Sequence, residues 1–247
     1  MASQSQWSIV PIGADDDQTP LFFSEHEWNT VEAATARIIP TDRDPGAREA
    51  RVIRFLDRFL ASIQFIYASA DGSGFLQMSG KDAEAWEERI AHRQQVYREG
   101  IAEMDDLSED RFGKPFVELT EQEQDDVLEA LSGQPRPGRV SLEPQTLGDG
   151  GVGGAPPTNQ PVSDEGLGFF EMLVLHTRQG FYADPVYGGN ADSIGWRVIG
   201  YPGPESLADT VAGRYTTVDY MIPEATWPYA QHPAVQRYGV GQRERLR

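Results

Sequence analysis

Cysteine is absent from the 247 residues of this chain. Its absence excludes disulfides, cysteine-ligated zinc, iron–sulfur clusters and thiol catalysis within the chain. It does not select a compartment. Basic residues are scarce: 21 Lys and Arg stand against 39 Asp and Glu, a formal charge of −18. Nucleic acid and anionic membrane surfaces are bound through clustered positive charge, so neither is an expected partner, whereas a basic protein surface remains compatible. Long apolar runs are missing too, and nothing approaches the roughly 18 consecutive apolar residues that cross a bilayer. The opening MASQSQWSIVPIGADDD has neither the basic region nor the apolar stretch of a secretory signal. No Arg-Arg pair occurs for a twin-arginine leader. The chain as given is therefore expected to be cytoplasmic. The alternative is a periplasmic protein whose leader has been removed or whose partner carries one.

What the sequence does contain is helical periodicity. Residues 1–20 read as an extended acidic lead-in. Ser24 and Glu27 then form a capping-box pattern ahead of Trp28, Val31, Thr35 and Ile38, with Pro40 as the stop. Val52, Phe55, Leu56, Phe59, Leu60, Ile63 and Ile66 predict a strongly apolar helix over about 48–69, broken by DGSG at 71–74. A long helix is predicted over about 81–106, with Trp86, Ile90, Tyr97, Ile101 and Met104 on one stripe and charged residues opposite. Thr120 and Glu123 repeat the capping box before a fourth helix, and DEGLGFFEMLVLHTRQG predicts a fifth over about 164–179, with Gly180 as its cap. The expected fold is mainly α: about five helices packed as one domain with a long irregular C-terminal segment. The helical domain spans 21–204, with an irregular Gly/Pro-rich insert at 133–163. An irregular tail covers 205–247, and one short strand is expected at Trp196–Tyr201.

Chemical motifs are few. GDGGVGG fits Gly-x-Gly-x-x-Gly at Gly148, Gly150 and Gly153, but a dinucleotide fingerprint needs a strand before it and a helix after it. Here EPQTL precedes, and APPTNQP follows with prolines that forbid the helix. The four histidines, His26, His92, His176 and His232, fall in different elements. Glu88 and His92 are four apart on one helix and read as a surface pair, since a di-iron bundle needs two Glu-x-x-His motifs. No Gly-x-Ser-x-Gly nucleophile elbow occurs. No catalytic residue, metal ligand or cofactor-binding residue is assigned to this chain.

The most distinctive stretch is FYADPVYGGNADSIGWRVIGYPG, residues 181–203. Asp184 before proline takes an extended conformation. Gly188, Gly189 and Asn190 are the residue types that most readily take positive φ, and Tyr201-Pro202-Gly203 suits a type II turn. Between these restricted ends, Tyr187, Ile194, Trp196, Val198 and Ile199 supply apolar area. Two roles fit, and they are compatible: sealing one side of the helical core, or presenting a rigid aromatic contact surface. Asp184, Tyr187, Gly188, Gly189, Asn190, Trp196, Tyr201, Pro202 and Gly203 are accordingly candidates for loop bracing or partner contact.

At these residues a family resemblance enters. HTRQGFYADPVYGGNADSIGWRVIGYPG (176–203) closely resembles the signature of the gluconate 2-dehydrogenase subunit 3 family. FFSEHEWNTVEAATARIIPTDRDPGAREARVIRFLDRFL (22–60) and FVELTEQEQDDVLEAL (116–131) are similar to the family's N-terminal and middle patterns, so the resemblance covers about 22–204, poorly at 133–163. It implies a non-catalytic small subunit. The partner would be a large FAD-dependent dehydrogenase subunit of the glucose–methanol–choline class, which holds the flavin and oxidises a sugar or sugar acid. A multihaem cytochrome c subunit often completes such complexes. The small subunit is implied to support folding, flavin loading or export of the large one. Members commonly begin with a twin-arginine leader, from which this sequence departs. Two alternatives remain: a stand-alone metal-dependent enzyme using His92, His176 and nearby carboxylates, and a transient assembly chaperone.

Overall fold

The computed structural model describes residues 9–11, 19–69, 74–133 and 164–201. Most of the lead-in, nearly all of the 133–163 insert, His232 and the tail from 202 onward lie outside the described residues.

Helix α1, Glu25–Ile38, begins at the capping box: the Glu27 N–H donates to Ser24 Oγ (3.2 Å) and the Ser24 N–H donates to Glu27 Oε2 (2.8 Å). Helix α2, Val52–Ala61, is the central helix of the bundle, with Val52, Ile53, Phe55, Leu56 and Leu60 buried. It is shorter at both ends than its apolar periodicity predicts. Arg51 sits in the left-handed region (φ 52°) and prevents an earlier start, while extended Ser62 (φ −169°) ends the helix and caps a separate 3-10 turn, Ile63–Phe65. Asp57 is buried on α2 yet well partnered, its carboxylate accepting from the backbone N–H groups of Leu21, Phe22 and Phe23 at 2.7, 2.9 and 3.0 Å. Those three bonds fasten the chain leading into α1 across the central helix.

Helix α3, Gly80–Phe112, runs 33 residues, about 50 Å. Its buried stripe carries Ile90, Tyr97, Ile101 and Met104, as the spacing predicts, but also Arg93 and Gly100; Trp86 is only half-buried. Gly100 is required by packing: a Cβ there would lie 1.9 Å from Cγ of Phe169. Helix α4, Glu121–Ser132, starts at the second capping box, and Asp125 takes a two-point contact from Arg37 of α1 (2.8 and 3.0 Å). Helix α5 spans Phe169–Tyr182. It begins later than 164 because Gly166 is left-handed (φ 76°) and Gly168 is extended. It also runs through Gly180, so that glycine is not a cap. Gly180 instead allows close packing on α2, where a Cβ would lie 2.9 Å from Phe55.

A short antiparallel pair was not expected from the sequence. Strands β1, Ile9–Pro11, and β2, Gly74–Leu76, pair with Val10 opposite Phe75. Conversely, no strand forms at 196–201: helix α6, Ile194–Val198, occupies its first half, followed by left-handed Gly200 (φ 69°). The fold is mainly α, six helices among the described residues, with the core between α1, α2, α3 and α5. Among the described residues, no helix is long and apolar enough to cross a membrane.

Candidate functional site

The segment after α5 folds as a chain of tight turns clamped onto α2 and α5. Asp184 caps a 3-10 turn at Pro185–Tyr187, its Oδ1 accepting from the Val186 N–H at 3.0 Å. The Tyr187 hydroxyl accepts from the Ala68 N–H (3.3 Å), and its ring lies 6.0 Å from that of Phe75. Gly188 is left-handed (φ 100°) and packs on the Arg58 stem. Gly189 lies against the Gly180 carbonyl, where a Cβ would come within 2.2 Å of the oxygen.

Asn190 is the pin of this segment. It is fully buried and left-handed (φ 47°), a conformation asparagine tolerates better than most residues. Its Nδ2 donates to the Ala183 carbonyl and its Oδ1 accepts from the Gly195 N–H, both at 2.7 Å. Asp192 and Ser193 are also left-handed, so three strained non-glycine residues fall within four positions. The Ala191 N–H bonds the Ala50 carbonyl (3.0 Å), tying the segment to the start of α2. Trp196 is 9% exposed, and its indole N–H donates to the Tyr182 carbonyl at 2.8 Å. Tyr201 stacks edge-on to Trp196 at 5.3 Å. Pro202 and Gly203 lie outside the described residues. The large apolar side chains that face outward here are Tyr182, Val198 and Ile199; the sequence reading counts Val198 and Ile199 in the apolar area of the segment, and Tyr182 is new.

A second constellation lies inside the bundle, where Arg93, Asp164, His176 and Tyr97 form a buried polar chain. Arg93 donates to Asp164 through Nε and, at 2.9 Å, through Nη2. His176, 0% exposed, places Nε2 3.2 Å from the same carboxylate and Nδ1 3.0 Å from the Tyr97 hydroxyl. A carboxylate only accepts, so Nε2 carries the proton and Nδ1 accepts from the Tyr97 O–H. The imidazole is neutral with both nitrogens engaged.

The surroundings reinforce these protonation states. Burial alone would raise the Asp164 pKa, but the bonds from His176 and Arg93, with the guanidinium charge, overcome it and hold the carboxyl well below the usual range. Burial pushes the His176 pKa down; Asp164 opposes this only in part, and the Arg93 charge adds to it. Burial, with the Asp164 charge, pushes the Tyr97 hydroxyl well above its ordinary value. The Arg93 guanidinium also lies over the rings of Phe59 (4.9 Å) and Trp86 (5.5 Å).

His176 and His92 do not converge. His92 is exposed on α3 with Glu88, beside a small cavity of about 180 Å³ that Arg93 and Asp164 also line. His26 pairs with Asp105 at 2.6 Å. Among the described residues, no three His, Asp or Glu side chains are grouped to hold a metal ion. The buried chain was missed in the sequence although one signal was present. Arg93 lies three residues after Ile90 and four before Tyr97, which puts a cation on the apolar stripe of α3. Its acid, Asp164, falls where the sequence predicts helix, five residues before α5 begins.

A family model described as gluconate 2-dehydrogenase subunit 3 matches residues 25–203. No curated protein and no solved structure matches the chain. The chain belongs to the gluconate 2-dehydrogenase subunit 3 family, a subunit family of a dehydrogenase complex.

Proposed function

We propose, from that membership, that this chain is the non-catalytic small subunit of a heteromeric flavin-dependent carbohydrate dehydrogenase. On this reading it binds the large glucose–methanol–choline-type subunit and stabilises or matures it. FAD and the oxidation of a sugar or sugar acid belong to that large subunit, and a cytochrome c subunit is the natural electron acceptor. The observation that carries the reading is the family match across 25–203. The internal chemistry agrees with it: both nitrogens of His176 are taken by Tyr97 and Asp164, so this imidazole works as a structural bridge.

The test is to express the proposed large flavin-dependent dehydrogenase subunit with and without this chain, then compare size-exclusion profiles and flavin absorbance. The expected result is co-elution, with higher flavin occupancy when the chain is present. Retention at a fixed stoichiometry marks a permanent subunit, and loss from the mature enzyme marks a transient chaperone. Equal flavin content and separate elution would remove the proposal.

A further inference from the structure

A groove far from the 183–201 segment in sequence has the composition of a receptor for a basic side chain. Tyr67, after the Ile63–Phe65 turn, is 45% exposed. Its ring stands edge-on to Trp86 of α3, 6.4 Å between centroids. Asp82 lies one helical turn before Trp86, four residues away and so on the same face of α3. Leu76 of β2 and buried Met78 complete an apolar floor. The open groove measures about 530 Å³.

The chemistry of the lining selects the occupant. Among the described residues that line the cavity, Asp82 is the charged one. Aromatic faces attract cations through their quadrupole, and an aliphatic stem packs on apolar walls while its charged head reaches a carboxylate. Trp86 already draws cations within this chain, with the Arg89 guanidinium at 5.3 Å and that of Arg93 at 5.5 Å. Those two arginines are engaged by Glu165 and Asp164. No guanidinium covers the Tyr67 ring among the described residues. The formal charge of −18 selects a basic partner surface over an acidic one.

We infer that the Tyr67–Trp86–Asp82 groove receives a lysine or arginine side chain, flanked by apolar residues, from the large flavoprotein subunit. This rests on the small-subunit reading given above. The test measures the Kd between this chain and the purified large flavin-dependent dehydrogenase subunit, at low and at moderate salt. The variants are Asp82→Asn, Asp82→Lys and Tyr67→Ala. Glu109→Gln serves as control, an exposed acid on α3 about 40 Å away along the helix.

Asp82→Asn and Tyr67→Ala are each expected to raise Kd about tenfold, and Asp82→Lys more. The dependence on salt should flatten in both Asp82 variants, and Glu109→Gln should bind like wild type. Thermal melts check folding; Asp82 is exposed, so its variants remain informative even if Tyr67→Ala is unstable. Wild-type affinity in both Asp82 variants, with wild type itself binding, overturns the groove and leaves the small-subunit reading standing. Equal losses in Glu109→Gln would reduce the effect to general charge attraction and also overturn it. Failure of wild type to bind the flavoprotein brings down both.

Discussion

Asp164→Ala is the sharpest perturbation of the buried polar chain. The side chain is 8% exposed and serves Arg93 twice and His176 once. Removing it leaves a buried guanidinium without its carboxylate and an imidazole N–H without its acceptor. Breaking a buried pair from one side typically costs about 3–5 kcal/mol. Against a total stability of about 5–15 kcal/mol, that is a large fraction. In a domain of this size it corresponds to a drop in Tm of roughly 6–20 °C. Part of the Arg93 charge stays stabilised by Phe59 and Trp86, which argues for the lower half of the range. The companion variant Arg93→Met removes the cation but keeps apolar volume over the two rings. Combined with Asp164→Ala, it should restore much of the loss, because no unpaired charge then remains buried. Urea denaturation of the wild type, both single variants and the double variant closes the cycle. A loss below about 1 kcal/mol in Asp164→Ala, or simple additivity in the double variant, would refute the description of these residues as one coupled buried unit.

Two further perturbations follow from the same geometry. Burial holds the folded-state pKa of His176 below its unfolded value, so the unfolded chain takes up this proton first. The stabilisation is complete above about pH 6.5 and declines as pH falls towards the folded pKa, by at most about 1.4 kcal/mol per pH unit; melts from pH 7.5 to 5 should show this slope, and His176→Gln should flatten it. Asn190→Ala loses one buried and one half-buried hydrogen bond and puts alanine at φ 47°, a cost of about 2–4 kcal/mol; equilibrium denaturation should register it, and Asn190→Gly should recover only the backbone part.

The helices were legible where a local rule dominates. Both capping boxes, at Ser24–Glu27 and Thr120–Glu123, start their helices as the pattern predicts. Their logic involves only four consecutive residues. Errors arose where tertiary contacts decide. Ile63 and Ile66 continue the apolar period of α2, yet extended Ser62 interrupts it. Gly180 suits a helix end because glycine often caps, whereas its real constraint is the approach of Phe55 and Val52. Trp196–Tyr201 looked like a strand from its β-branched and aromatic residues. The left-handed Ser193 and the indole bond to Tyr182 instead put its first half, Trp196–Val198, in α6. The pairing of β1 with β2 joins segments more than sixty residues apart, a distance over which alternation in three-residue strands carries no signal.

The restricted backbone of the candidate segment was legible, but which side chains it turns outward was not. Glycine, proline and asparagine announce restricted backbone through local sterics alone. Which side chains those restrictions turn inward depends on α2 and α5, and that lay beyond local reasoning. Asn190 and the Trp196 indole satisfy the carbonyls of Ala183 and Tyr182, and the Tyr187 hydroxyl satisfies the Ala68 N–H. A group already engaged within its own chain gains little from a partner, since a new hydrogen bond must replace an existing one. Substituting these residues would therefore disturb the fold before it disturbed any interface, and a lost interaction with a partner would not by itself identify a contact. Exposed side chains are the cleaner probes: Tyr182, Val198 and Ile199 beside this segment, and Tyr67 with Asp82 at the groove. Of these, only Tyr67 and Asp82 combine an aromatic face with a carboxylate, and only that pair yields an expectation about the chemistry of the occupant as well as its position.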